Sequence, residues 1–465
     1  MKKNLDKSQF GDFQTPFELA EKVVQLLITK HKIKPDIIIE PSCGKGAFIQ
    51  AALKHFDNST LLGFDINEVY IQDALSLLVN QQKNRNISIN VGDFFQIDWL
   101  PKIEKYKGNL LILGNPPWVT SSELGSLNSN NVPSKSNFQL RRGIDAITGS
   151  GNFDISEWML LQNIDWLSNR EGTIAVLCKY SVARKVMKQI RITHKHLFSG
   201  YIYTIDAKHY FDASVEACLF VLTKEDSIAD YEVYEELSST SPSYIIGERD
   251  GYLLRDITKY SKWKHLIGKE QEYIWRSGLK HDCSKVMELE PIDGSYKNGF
   301  GEIVDLEDNY IYPFLKSSDI GNSRIDFNRK TVIVTQKFVG EDTSMVKNIA
   351  PKIWQYLESY SNLLNGRKSS IYKGKPAYSI FGVGDYTFKS WKIAISGLYK
   401  KLNFCLIPPM KGKPVIFDDT VNFLSFDSEN EARFIYKLIT SKIAEEFYSS
   451  MIFWDEKRPI TTDIL

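Results

Sequence analysis

The chain reads as an α/β protein whose first ~225 residues build a largely parallel sheet with helices on both faces. Three observations predict this. Helical and strand patterns alternate from Phe17 to Leu222. The strand candidates include short unbroken apolar runs, such as Ile37-Ile38-Ile39 and Leu110-Leu111-Ile112-Leu113, as in strands buried on both faces. The texture then changes after Leu237-Ser238-Ser239-Thr240-Ser241-Pro242-Ser243, which has the composition of a linker.

Taken in order, Phe17 to Ile28 is an amphipathic helix, with Leu19, Ala20, Val23, Val24 and Leu27 at helical spacing. Ile37 to Ile39 is the first strand and Ala47 to His55 the next helix. Leu61 to Phe64, a helix from Val69 to Val79, Ile87 to Val91 and Leu110 to Leu113 continue the alternation. Thr173 to Leu177, Tyr201 to Ile205 and Val215 to Leu222 are further strands. Ser121 to Phe153 breaks the rhythm; a loop of that length is usually functional. These elements give a catalytic domain over 1–236 and a second domain over 244–465. The second carries strands at Thr331 to Thr335 and Trp391 to Ile395. One helix from Glu429 to Phe447 closes it, with Phe434, Ile435, Leu438, Ile439 and Ile443 on its apolar side.

The 465 residues are 43% hydrophobic and 25% charged, which excludes whole-chain disorder. No apolar run near the motifs approaches the ~20 residues of a membrane span. The basic N-terminus has no apolar stretch behind it, so no signal peptide is expected. The five cysteines form no C-x-x-C pair, which favours neither a disulfide framework nor a zinc site and suits a reducing cytoplasm. A net charge of +1 excludes coating nucleic acid by bulk charge and leaves room for a local basic surface.

Four features carry chemistry. Glu40-Pro41-Ser42-Cys43-Gly44-Lys45-Gly46 joins the first strand to a helix, where ligands bind in doubly wound sheets. Position 49 is Ile49 instead of a third glycine, and no phosphate-loop Lys-Ser/Thr follows, so NAD and ATP are not the expected ligands. A plain tight turn explains this Gly-x-Gly equally well. Asp65, at the end of the next strand, suits ribose hydroxyls or the cap of the following helix. Asp93 can accept from an adenine amino group, with Phe94 or Ile66 against the ring. The decisive feature is Asn115-Pro116-Pro117-Trp118 after a buried strand. Two prolines fix an extended backbone and remove two donors. Carbonyl oxygens, the Asn115 amide oxygen and the flat Trp118 ring are what a planar amino group needs in order to be held and activated.

Gln14-Thr15-Pro16, the Glu40 to Gly46 stretch, Asp65, Asp93-Phe94 and Asn115 to Trp118 occur in an order that resembles the gamma-class adenine-N6 DNA methyltransferases of bacterial restriction–modification systems. Phe153 to Trp158 and Tyr210 to Val215 look like later motifs of that family. Trp275 to Asp282 and Tyr312 to Ile320 are more loosely similar to its target-recognition domain. The resemblance implies a Rossmann-like S-adenosylmethionine-dependent methyltransferase domain plus a C-terminal mixed α+β target-recognition domain. Thr15 and the backbone around Ser42, Gly44 and Gly46 would meet the cofactor's amino-acid end, Asp65 its ribose, and Asp93 its adenine with Ile66 or Phe94 alongside, and Glu40 would be a further cofactor-binding residue. Many members carry Glu at the ribose position and Tyr at position 118; Asp65 and Trp118 keep the same chemistry. Asn115, rather than Ser, favours adenine over cytosine.

On that resemblance, Asn115 and the Pro116 carbonyl would hold the amino group of an adenine flipped from duplex DNA, with Trp118 and Phe211 on its two faces. The sulfonium leaving group makes a metal and a strong base unnecessary. Lys179, Arg184, Lys185, Lys188, Arg191 and Lys195 form either a phosphate-binding helix face or a solvated one, the solvated face slightly ahead. Arg367-Lys368, Lys373/Lys375, Lys400-Lys401 and Lys411/Lys413 are candidate DNA-contacting loops. Ser121 to Phe153 is expected to be a lid that orders on DNA. A cognate restriction endonuclease is the expected genetic partner. The rival readings are a methyltransferase for an RNA base or a protein glutamine, and a DNA-recognition subunit of a restriction enzyme.

Overall fold

A computed structural model describes residues 13–78, 86–120, 154–167, 169–193, 198–225, 230–268, 272–326 and 329–465. It divides into two units, Met1–Ile257 and Thr258–Leu465. The loop Ser121 to Phe153 and Lys195 lie outside the described residues.

The first unit is built on one sheet: β1 (Ile37–Glu40), β2 (Thr60–Asp65), β3 (Ile87–Val91), β4 (Leu110–Gly114), β5 (Gly172–Lys179), β6 (Phe198–Ile205), β7 (Ala217–Lys224), β8 (Tyr231–Tyr234), β9 (Tyr244–Arg249) and β10 (Tyr252–Leu254). Its strand order is β10-β9-β8-β6-β7-β5-β4-β1-β2-β3. β1 to β5 run parallel, while β7 lies antiparallel between β5 and β6. The all-apolar strands are the central ones: every residue of β1 and β4 is buried, as their unbroken apolar runs require. Helices α1 (Phe17–Thr29), α2 (Ala47–His55) and α3 (Glu68–Leu78) begin and end within a residue of their expected bounds. Leu19, Val23, Val24 and Leu27 of α1 pack into a core with Phe48, Leu111 and Leu219.

Two expectations need correction. The Ser-rich stretch 237–243 is the turn between antiparallel β8 and β9, so residues 244–254 complete the first sheet and the division falls after Ile257, not at 237–243. A hairpin turn and a linker need the same residue types, so composition did not separate them. The closing helix is two helices in place of one, Glu429–Ile439 and Lys442–Met451. Ser441 caps the second by accepting from the Ala444 amide. Ile435 and Ile439 pack on the core, whereas Phe434, Leu438 and Ile443 face outward.

The second unit is mixed α+β. Its sheets have four strands, β11 (Arg276–Ser277), β20 (Val421–Phe426), β17 (Trp391–Ser396) and β18 (Phe404–Ile407), and six, β14 (Ile303–Val304), β13 (Ser295–Lys297), β12 (Glu288–Ile292), β16 (Lys330–Ile333), β15 (Ile311–Leu315) and β19 (Ile416–Phe417). Among the described residues, no helix is long and apolar enough to cross a membrane.

Candidate active site

β1 lies between β2 and β4. This is the point where the strand order reverses, and the crevice beyond the strand ends there is where such sheets bind ligands. The register pairs Ile39 of β1 with Ile112 of β4, so the chains leaving Glu40 and Gly114 emerge side by side. Both motifs singled out in the sequence therefore meet at one place.

The loop after β1 is held from two sides. The Gly44 amide donates to Asp65 Oδ2 at 2.8 Å, and the Lys45 amide donates to Gln14 Oε1 at 3.1 Å. Gly44 and Gly46 have φ of +48° and +82°, which side chains rarely adopt. A Cβ on Gly44 would stand 2.5 Å from Gln14 Oε1. Gln14 is thus a brace of the loop, and Thr15 and Ser42 flank it half-buried. Beneath the loop, Glu40 is buried, with Oε2 lacking any hydrogen-bond partner among the described residues. Burial, reinforced by the nearby Asp65, raises its carboxyl well above the usual range. The unpartnered Glu40 oxygen beside this loop fits the ammonium of the amino-acid end of S-adenosylmethionine, which would restore the carboxylate's charge.

Asp65 also accepts from the Asn67 amide at 2.8 Å. The cap of α3 is Asn67, whose side chain accepts from Val69, so Asp65 shapes the turn before the helix without capping it. Ile66 is 51% exposed and offers an open apolar face. Asp93 accepts from the Phe95 amide at 2.9 Å. The Phe94 ring is buried among Trp99, Trp158 and Trp166, at 5.3, 5.9 and 5.8 Å, which leaves Ile66 as the freer of the two apolar candidates. Nothing in the local sequence joins Phe94 to Trp158 and Trp166; only the fold does.

After β4, Asn115 Nδ2 donates to the Phe13 carbonyl at 2.8 Å. A carbonyl can only accept, so this bond settles which end of the amide faces which way. Asn115 Oδ1 is buried without a partner among the described residues. Pro116 is buried and Pro117 half-buried. Trp118 is buried, its indole N–H directed at the Leu177 carbonyl at 3.4 Å. Its ring meets Phe211 at 5.1 Å, nearly edge-on, and Phe13 at 5.4 Å. Phe13 and Phe211 lie 6.1 Å apart. Trp118 and Phe211 are thus brought together as expected, but they touch, with no slot between them. Phe13 is the residue sequence reasoning missed, and its place beside Gln14-Thr15-Pro16 was the available signal.

The basic segment is mostly neutralised. Lys179 bonds Asp154 at 2.7 Å, Lys185 pairs with Glu157 at 3.2 Å, and Arg191 pairs with Glu248 at 3.1 Å. Val182, Val186 and Ile190 are buried as their spacing required. Lys188 is exposed, with no ion pair among the described residues, so a solvated, largely ion-paired face describes this helix better than a phosphate track. In the second unit, Arg367 donates to the carbonyls of Leu364, His281 and Ser379, and Lys413 bonds Asp308 at 2.6 Å; both are structural pins. Lys368, Lys373, Lys375, Lys401 and Lys411 are exposed. Parts of the two stretches compared above with a recognition domain, Leu279 to Asp282 and Lys316 to Ser318, line one cavity of about 500 Å³ with Asp418 and Thr420. Burial lowers the His281 imidazole there to about 4.

The strand order and the two loops at its reversal point define a Rossmann-like, S-adenosylmethionine-dependent methyltransferase. A sequence model of the family N-6 DNA Methylase matches residues 2–243. The chain is 46% identical to the Type II methyltransferase M.NspV of Nostoc sp. over 465 residues, 99% of this chain and 96% of that one. It is 28% identical over 142 residues to the ribosomal RNA small subunit methyltransferase A of Mycoplasma capricolum, covering 30% of this chain and 50% of that enzyme. Among solved structures, the Type IIL restriction-modification enzyme MmeI in complex with DNA matches with a TM-score of 0.50 at 13% identity, covering 95% of this chain and 63% of that protein, a likeness of fold alone. The chain belongs to the N-6 DNA methylase family. It is a site-specific DNA methyltransferase of a restriction–modification system, with S-adenosylmethionine as cofactor.

Proposed function

We propose that the chain methylates N6 of an adenine turned out of duplex DNA. The observation that carries this reading is the Asn115 amide, its nitrogen tied to Phe13 and its oxygen buried and unpartnered among the described residues. An unpaired buried acceptor costs about 1–3 kcal/mol. An incoming N–H donor removes that penalty, and an adenine amino group supplies one. The Pro116 carbonyl is the second acceptor, since the double proline leaves no amide donor to compete for it. Held by two acceptors, the amino nitrogen is drawn out of conjugation and its lone pair faces the methyl group. S-Adenosylmethionine, when bound, supplies a methyl group on a positively charged sulfur. Glu40, Thr15 and the backbone around Ser42 to Gly46 would hold its amino-acid end, Asp65 its ribose, and Asp93 with Ile66 its adenine. The paired amino group is inaccessible, so the base must leave the stack. Trp118, Phe211 and Phe13 form the aromatic wall that receives it.

In this reading residues 258–465 choose the DNA sequence, a cognate restriction endonuclease is the genetic partner, and the protein works in the cytoplasm. The test is methyl transfer from labelled cofactor to duplex DNA, RNA and protein, with the modified base identified by mass spectrometry. N6-methyladenine in duplex DNA is expected; N4-methylcytosine, or label in RNA or protein alone, sinks the reading.

Two results follow from the geometry. Asp65→Ala removes an acceptor and unties the Gly44 amide, so calorimetry should show cofactor affinity falling at least ~10-fold while DNA affinity holds. Unchanged cofactor affinity would leave Asp65 only its role in the turn. Lys411 and Lys413 should separate. Lys411→Ala is expected to lower the slope of log affinity against log salt by about 0.9, as for one lost phosphate contact. Lys413→Ala should lower the melting temperature through the loss of its Asp308 pin. A salt slope unmoved by Lys411→Ala takes that loop off the DNA.

A further inference from the structure

The chain that leaves β4 cannot be held by its own amides at Pro116 and Pro117, because neither has an N–H. Asn115 reaches back to the Phe13 carbonyl, so whatever fixes the far end of this loop must act after the prolines. Ties fall there on three consecutive residues. The Trp118 indole N–H points at the Leu177 carbonyl at 3.4 Å. The Val119 carbonyl accepts from the Ile155 amide at 2.9 Å. Thr120 forms an antiparallel bridge with Asp154. Trp118 and Val119 are both buried.

Asp154 is itself held by β5. Its side chain is 6% exposed, and its Oδ2 accepts from Lys179 Nζ at 2.7 Å. Its Oδ1 accepts from the Ser156 amide and hydroxyl at 3.1 and 2.5 Å. Lys179 is the last residue of β5, two beyond the Leu177 carbonyl that faces Trp118. β5 lies beside β4, with Val176 paired to Gly114. One strand end therefore takes both the Trp118 ring and the carboxylate of the residue bridged to Thr120. The ties form a closed circuit from β4 through the loop, Asp154 and Lys179 back to β5. A nearly buried ion pair is a weak source of stability, because desolvation offsets most of the Coulomb attraction and apolar pairs often serve as well. What it adds is a fixed meeting point: an ammonium and a carboxylate must keep their distance and direction, whereas apolar side chains can slide.

We infer that the Asp154–Lys179 pair is a latch that fixes residues 115–120 at the end of the sheet, and with them the place of Asn115 relative to the transferred methyl group. This rests on the reading of Asn115 as the residue that holds the target amino group. Asp154 and Lys179 act through the loop and are positioning residues.

The test uses the full-length enzyme, unmethylated bacterial DNA and labelled S-adenosylmethionine. Lys179→Met keeps the length of the side chain and removes its charge. Its single-turnover rate at saturating DNA and cofactor is expected to fall about 10²-fold, the loss that a misplacement of about 1 Å can cause. Cofactor affinity by calorimetry should stay near wild type. Lys179→Arg, which keeps the ion pair, should recover most of the rate. The double variant Asp154→Asn/Lys179→Met removes both charges, so no unpaired buried ion remains. Its melting temperature should return toward wild type while its rate stays low. A rate near wild type in Lys179→Met overturns the latch. So does a rate that returns with the melting temperature in the double variant, which would make the pair purely structural, or a fall in cofactor affinity large enough to account for the loss. The rate comparison holds whichever base carries the label. N4-methylcytosine in the product would therefore sink the adenine-N6 reading and leave the latch standing.

Discussion

Asn115→Ala should lower kcat for methyl transfer by at least ~10²–10³, the usual loss when one fixed dipole at a reacting centre is removed. S-Adenosylmethionine should still bind almost as in the wild type, because Asn115 lies after β4 whereas the cofactor candidates other than Thr15 lie at or after the ends of β1, β2 and β3. The substitution removes two things at once, the free Oδ1 and the tether to the Phe13 carbonyl. Asn115→Asp separates them: it keeps an acceptor and loses the donor to Phe13. If the tether matters only for orientation, the aspartate variant should retain more activity than the alanine variant on a duplex with a released target base. Single-turnover kinetics with saturating cofactor measures the chemical step directly. Turnover near wild type in Asn115→Ala would take the residue out of the mechanism.

The second large effect concerns stability. Lys392 on β17 is 1% exposed and its ammonium has one hydrogen bond among the described residues, to the Lys389 carbonyl at 3.0 Å. Burial depresses it from 10.5 to about 7. Between those pH values the unfolded chain binds the proton and the folded one releases it. Stability therefore rises as pH climbs from about 7 to about 10.5 and is lost again as pH falls back to 7. Lys392→Met should stabilise the protein at pH 7 and below, by at most about 5 kcal/mol of unfolding free energy at 1.36 kcal/mol per pH step. The advantage should shrink steadily toward pH 10. Thermal unfolding across that range reads both signs; an advantage that does not change with pH would mean that Lys392 is charged or that the gain comes from packing.

Much of the first unit was legible because its signals are local. The apolar runs of β1 and β4 and the periods of α1 to α3 specify their own ends, and the two loops at the reversal point follow from strand order. What escaped depends on residues distant in the chain. Lys179 and Lys185 read as a solvated face slightly more readily than as a phosphate track, but that they are ion-paired shows only when Asp154 and Glu157 come to meet them. Phe94 reads as a cofactor contact until Trp158 and Trp166 close over it. The break at Thr440-Ser441 is hidden because the apolar spacing runs through it, while the Ser441 hydroxyl caps the start of the second helix. Phe13 stands alone, without a period to mark it.

If a base enters at Trp118 as proposed above, the contact among Phe13, Trp118 and Phe211 makes that entry an exchange. A base that stacks on Trp118 must first part rings that already cover one another. What it gains is then the difference between two stacking energies, not the full ~1–3 kcal/mol of one. A broad purine covers more of the freed rings than a pyrimidine does, so a closed pocket gives the larger base the greater net gain. On the adenine-N6 reading proposed above, part of the choice of base would then be set by size, before any hydrogen bond to Asn115 is made.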